Sequence, residues 1–285
     1  MYKHFKIASL AMLLFGLTKV DAQELTPANG LQGQINDYHL YNNQPSIITD
    51  RPDATESPNT VEPGFIQIET GGYYTRFEEN ESTFETLGYN TTLARIGLLE
   101  NLELRLGVNY EDNRITSKMG TTETTADFKS FTPMLAGIKI NLFEGRSGTD
   151  FGFLGHIYLP FTTSTPEGET PEPSTTGADF RFSVGHELSE RSGIAYNLGG
   201  QWAGDNTGMA FVYTVAYGYA LNDTIGAYVE LYGDAPELSS ANHYWDAGFT
   251  YLAGWNLQYD VTFGSSITSG QDLLLSAGLS YKFGY

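Results

Sequence analysis

The sequence predicts an all-β protein: a 12-stranded antiparallel transmembrane β-barrel of the outer-membrane type, preceded by a polar, irregular N-terminal leader. Three observations carry this. The chain alternates apolar and polar residues with period two from end to end, short and long connections alternate, and an apolar face runs to the last residue. The clearest alternation is Leu102-Glu103-Leu104-Arg105-Leu106-Gly107-Val108-Asn109-Tyr110, preceded by Ala94-Arg95-Ile96-Gly97-Leu98 and a turn at Glu100-Asn101. In a soluble sandwich the apolar face would pack on a core. Here the other face mixes arginine and glutamate with glycine along the whole chain, which suits lipid outside and a wet interior.

The first residues read as an export signal. Lys3, His4 and Lys6 precede an apolar segment over 7–17, and Val20 and Ala22 occupy small-residue cleavage positions, so the mature chain is expected to start at Gln23. The apolar segment falls short of the roughly 20 residues that a spanning helix needs. No cysteine is present, which excludes lipoprotein anchoring, disulfides, thiolate metal sites and cysteine nucleophiles. The formal net charge is −19; removal of residues 1–22 takes away three lysines and one aspartate and leaves −21. Nucleic acid needs a basic footprint and is excluded as a partner. The expected surroundings are outer-membrane lipid and lipopolysaccharide of a Gram-negative cell, with a small-molecule solute as cargo.

Residues 23–63 have no sustained period and are rich in Asn, Gln, Pro and Gly, so they read as a polar leader. Within them Asp50-Arg51-Pro52-Asp53 and Glu56 form a charged knot held by prolines. It is either a solvated periplasmic linker or a plug in the barrel mouth or lumen. As a plug it would pair Arg51 with inward carboxylates, in an interior lined by Glu69, Arg95, Glu103 and Arg105.

Twelve strands follow over residues 64–285. The first (64–77) sets Ile66 and Ile68 against Gln67 and Glu69, and the second (83–98) and third (102–114) form the hairpin above. The fourth (131–143) opposes Ile138, Ile140 and Leu142 to Gly137, Lys139 and Asn141. The fifth (150–161) precedes a sixth (178–188) that alternates Phe180, Phe182 and Val184 with Asp179, Arg181 and Ser183. The seventh (193–203) leads to an eighth (210–221) with Phe211, Tyr213, Val215, Tyr217 and Tyr219 on one face. The ninth (224–234), tenth (244–252) and eleventh (256–264) supply Glu230 and Asp260 on polar faces. The last (272–285) carries Leu275, Ala277, Leu279, Tyr281, Phe283 and Tyr285 on one face, with Lys282 on the other. A terminal aromatic of this kind resembles the signal read by the barrel assembly machinery. Connections after even-numbered strands are short, and those over 115–130, 162–177 and 235–243 are longer or more polar. An even strand count puts both termini in the periplasm.

The motif Thr49-Asp50-Arg51-Pro52-Asp53-x-Thr55-Glu56-Ser57-Pro58, then Pro63-Gly64, Gln67 and Glu69, resembles the opening signature of the family labelled "putative MetA-pathway of phenol degradation". Arg95-x-Gly97 with Glu103-x-Arg105 resembles that family's first inter-strand hairpin. The resemblance implies an outer-membrane transporter for small, often aromatic or apolar molecules. It transfers no catalytic residues.

No enzyme site is read. His156 and His186 lack the serine two residues on that barrel phospholipases use, and His186 reads as an interfacial anchor. Asp234, Glu237 and His243 lie near one another without a specific spacing. The acidic runs Glu78, Glu79, Glu81 and Glu167, Glu169, Glu172 lack ordered calcium-ligand spacing and read as solvated charge. No metal or cofactor is expected. The candidate pore-lining or plug residues are Asp50, Arg51, Asp53, Glu56, Glu69, Arg95, Glu103, Arg105, Lys139, Asp179, Arg181, Glu230, Asp260 and Lys282. A passive channel for small solutes is the expected function. A closed structural or surface-binding barrel and a hydrolase on the rim are the alternatives, and a filled and an open lumen both stand for twelve strands.

Overall fold

The computed structural model describes residues 46–145, 148–160, 176–204 and 208–285. The expected signal peptide, the first part of the leader and the acidic run Glu167, Glu169, Glu172 lie outside them. Among the described residues there are fourteen strand segments and no helix: β1 (Phe65–Glu79), β2 (Ser82–Leu99), β3 (Leu102–Val108), β4 (Tyr110–Met119), β5 (Thr122–Phe131), β6 (Met134–Gly145), β7 (Thr149–Leu159), β8 (Gly177–Ser189), β9 (Ser192–Trp202), β10 (Met209–Ala220), β11 (Ile225–Pro236), β12 (Asn242–Gly254), β13 (Leu257–Ser266) and β14 (Leu273–Gly284).

These segments make a closed wall of twelve strands. β3 pairs with one half of β2 and β4 with the other, so the two are one wall strand interrupted at Asn109. β5 and β6 are likewise one strand, pairing with β4 and β3 in turn. The interruption falls at Thr132-Pro133, where proline has no N–H to give the ladder; the Thr132 N–H instead donates to the Asn109 carbonyl at 3.0 Å. β1 hydrogen-bonds to both β2 and β14, and that second pairing closes the barrel. Every neighbouring pair is antiparallel, as an uninterrupted chain of hairpins requires.

The alternation sorts residues as a membrane barrel needs. Phe182, Val229 and Phe249 lie on the outside near mid-strand, each at least half exposed, while Arg95, Arg105 and Lys139 have no exposed surface inside. On the outer face tryptophan and tyrosine lie toward the two ends, with Trp202 and Trp245 at one and Tyr219, Tyr251, Tyr259 and Tyr281 at the other.

Two expectations are corrected. Residues 115–130 are not a loop: β4 and β5 form a hairpin standing above the wall, turning at Gly120 with φ 65°. Its sequence hides the period because both faces meet water, as the exposure of nearly all of β5 shows; threonine then supplies the strand preference without apolar alternation. The first hairpin also runs on to Glu79 and Ser82, turning at Asn80 and Glu81 with φ 47° and 65°, both left-handed as a two-residue type I′ turn demands. At this end of the barrel, part of the length that the sequence assigns to loop is strand.

Candidate functional site

The lumen holds the chain's own leader. Residues 46–63 enter from the short-turn end, rise to an apex near Asp53 and Ala54, and return to β1 at the same end. The entry is tied by the Ile47 N–H donating to the Trp255 carbonyl at 2.6 Å, and the exit by Thr60 Oγ1 donating to the Glu100 carbonyl at 3.3 Å. Lys282 Nζ holds both limbs, donating to the Ser46 carbonyl at 3.3 Å and to Glu62 at 3.1 Å, while lying 5.5 Å from the Phe65 ring centroid and 5.9 Å from that of Trp255.

The centre of the knot is Asp50. Its carboxylate accepts from Lys139 Nζ at 2.7 Å, pairs with Arg95 at 3.1 Å and pairs with Arg105. Its backbone N–H donates to Glu69 at 3.0 Å. Arg95 also meets Glu69 at 3.0 Å and Glu103 at 2.9 Å, and Arg105 meets Glu56 at 2.9 Å. Four carboxylates thus surround three cations on β1, β2, β3, β6 and the leader. Burial alone would make the Asp50 carboxyl a weaker acid, but Arg95, Lys139 and Arg105 together hold it well below the usual carboxylate range.

Arg51 turns the other way. Its guanidinium meets Asp260 through Nη2 at 2.8 Å and Nε at 3.1 Å, a bidentate contact. The fit requires glycine at two wall positions: a Cβ at Gly71 would stand 2.8 Å from Arg51 Nη2, and one at Gly278 closer still.

At the apex the leader meets acid rather than base. The Ala54 N–H donates to Glu230 at 2.7 Å, Thr55 Oγ1 donates to the same carboxylate, and Thr55 Oγ1 also contacts Thr214 Oγ1 at 2.8 Å. Ala54 packs against the stacked Tyr232–Tyr244 pair, whose rings lie 5.2 Å apart. Arg181 Nη1 donates to the Ala54 carbonyl at 3.1 Å. Burial pushes the Asp53 carboxyl well up, and Glu230 and Asp246 add to the rise.

Of the candidate residues, Asp50, Arg51, Glu56, Glu69, Arg95, Glu103, Arg105, Lys139, Arg181, Glu230, Asp260 and Lys282 are linked through the leader by the contacts above, and Asp53 sits at its apex. Asp179 joins them through Arg181 Nε at 3.6 Å, while accepting from Tyr158 at 3.1 Å and meeting His156 Nδ1 at 2.8 Å. Arg51 pairs with Asp260, not with a carboxylate of the first hairpin. Asp246, Asn197 and Gln258 were not singled out by the sequence; Gln258 reaches Thr49 Oγ1 at 2.8 Å and Asn197 the Glu56 carbonyl at 2.8 Å. Their signal was available, since each lies on the inward face opposite Phe249, Leu198 and Tyr259 in the period-two pattern. The rim histidine is engaged elsewhere: His243 Nδ1 meets the Tyr213 hydroxyl at 2.8 Å, while Asp234 meets Asn242. His186 bridges Thr149 and the Tyr196 hydroxyl.

Comparison with solved structures gives a similar fold in an outer membrane channel from Pseudomonas putida F1, at 10% identity and a TM-score of 0.58, covering 79% of this chain and 97% of that one. The translocator domain of the autotransporter NalP from Neisseria meningitidis (12% identity, TM-score 0.47) and the toluene transporter TbuX of Ralstonia pickettii (8%, 0.43) each match over 79% of this chain and 90% of their own. No curated protein matches. The family model described as "Putative MetA-pathway of phenol degradation" matches residues 49–283. This span takes in the knot and all but the end of the last strand, and the chain therefore belongs to that family of outer-membrane β-barrels.

Proposed function

We propose that this protein is an outer-membrane channel for small solutes whose leader occludes the lumen at rest and yields during passage. The observation that carries the reading is residues 46–63 inside the barrel, hydrogen-bonded to strands all round the wall. A barrel needing only a filled core could use wall side chains alone; here a separate segment fills it. No nucleotide reaches the outer membrane, so flux follows the solute gradient, with selectivity set by the charged lining. The family description links its members to phenol degradation, which makes phenol the first solute to assay. On this reading residues 1–22 are removed on export, the assembly machinery inserts the barrel, and both termini face the periplasm.

The test uses the absence of native cysteine. Thr55 and Thr214 touch through their hydroxyls at 2.8 Å, which makes them the leader–wall pair to link. The double variant Thr55→Cys/Thr214→Cys is expected to be silent in planar bilayers when oxidised and to regain single-channel steps on reduction. Equal conductance in both states would remove the leader as the gate. A folded barrel silent in both would favour a closed structural role, or a sideways route through the wall for apolar molecules.

A further inference from the structure

The two sides of the leader are held by opposite chemistry. Asp50 and Glu56 sit among Arg95, Arg105 and Lys139. At the apex, three carboxyls converge: Asp53 of the leader, Glu230 of β11 and Asp246 of β12. Glu230 and Asp246 are directly opposite in the antiparallel register and both are buried on the inward face, and Asp53 immediately precedes Ala54, whose N–H donates to Glu230 at 2.7 Å. All three residues are at most 3% exposed. One oxygen of Asp53 and one of Asp246 have no hydrogen-bond partner.

Carboxylates brought together out of water cannot all ionise. The surrounding charged and titratable groups do not remove that constraint. Asp50 adds negative field from the leader, and the Tyr228 hydroxyl of β11 faces the cluster. The Tyr232–Tyr244 pair walls it above Ala54. Arg181 of β8 faces Glu230, but is also engaged with the Ala54 carbonyl and lies 3.6 Å from Asp179.

We propose that Asp53, Glu230 and Asp246 form a proton-binding latch: protonated, they hold the leader apex in the lumen, and loss of protons drives Asp53 away from the wall and opens the channel. Only Asp53 rides on the movable element, so the repulsion acts between leader and barrel rather than within the wall alone. The basic side of the knot does not compete, since Asp50 and Glu56 there are each paired with cations rather than with carboxyls. The sign follows from linkage. The closed form binds more protons than the open form, so closure is strongest in acid and weakens as pH rises above the ordinary carboxylate range.

This inference rests on the occlusion reading, and the experiment separates the two. Open probability of the full mature chain is recorded in planar bilayers from pH 5 to pH 9, as a protocol range of about four units. The opening equilibrium is expected to shift toward open by up to about tenfold per pH unit for each proton released. The Glu230→Gln/Asp246→Asn variant keeps neutral hydrogen-bonding groups and is expected to stay closed with a flattened profile. Asp53→Asn, a change on the leader alone that leaves the wall intact, is expected to flatten it as well. Heat-modifiable gel migration verifies that each barrel is folded. A profile flat in the native protein, or unchanged in the amide variants, overturns the latch. Steps that the Thr55→Cys/Thr214→Cys tether abolishes but that ignore pH overturn the latch alone. Steps that ignore the tether overturn occlusion, and silence at every pH overturns both.

Discussion

Asp50 is the residue on which the leader's hold turns. Three cations face its one carboxylate, so Asp50→Ala leaves buried positive charge uncompensated, at a cost of about 3 kcal/mol or more. The expected outcome is faster hydrogen exchange at the leader amides of residues 49–56, by about a hundredfold, with the wall strands unchanged. The effect of acid has a definite sign. Asp50 is held below its ordinary range, so its contribution persists above about pH 4 and is lost only as pH falls below that. Legibility at this scale was uneven. The composition of Asp50-Arg51-Pro52-Asp53 and the inward charges of the first hairpin mark the participants in the sequence. The partner of Arg51 was not readable, because Asp260 lies 209 residues away and only the stagger of the closed wall brings it near. Asp246 was missed for another reason: a single acid between Tyr244 and Gly248 looks like any lumen-facing residue until the apex of the leader stands beside it.

Among elements, β4 and β5 behave unlike the rest. Their outer halves carry an exposed Arg114–Asp127 pair at 2.7 Å and a Lys129–Asp112 pair at 2.7 Å. Exposed pairs of this kind are screened by water and add little to stability. Asp127→Ala is therefore expected to leave the urea unfolding midpoint unchanged. Replacing residues 115–128 by a two-residue turn should leave heat-modifiable migration intact, since the wall below Pro133 keeps its pairing through β3 and β6. Sequence periodicity found the membrane part of these strands and lost the rest. Alternation is written into a strand only where its two faces meet different solvents, and above the membrane both faces meet water.

For the molecule as a whole, the sorting of side chains is what the sequence displayed most openly. Every wall strand must satisfy lipid on one face and a polar lumen on the other, so the pattern is repeated twelve times and survives local irregularities. A charge on the lipid face tests it. Phe182→Arg, near the middle of β8 and 53% exposed on the outer surface, is expected to cost about 2–4 kcal/mol in reversible unfolding from bilayers. The cost should shrink when arginine is placed at Tyr219 or Tyr251, toward the end of the wall.

Lys282 gives the closing seam a second duty. It stands on β14, the last strand made, and reaches the Ser46 carbonyl and Glu62 on the two limbs of the leader and the ring of Phe65 at the start of β1. Its acceptors come together only when the first strand, the last strand and the leader occupy their places at once. A wall closed without the leader would keep Glu69 and Glu103 beside Arg95, but would take Asp50 and Glu56 from Lys139 and Arg51 from Asp260. The seam between the first and last strands and the seat of the leader thus share one side chain, so a change at Lys282 is felt by both at once.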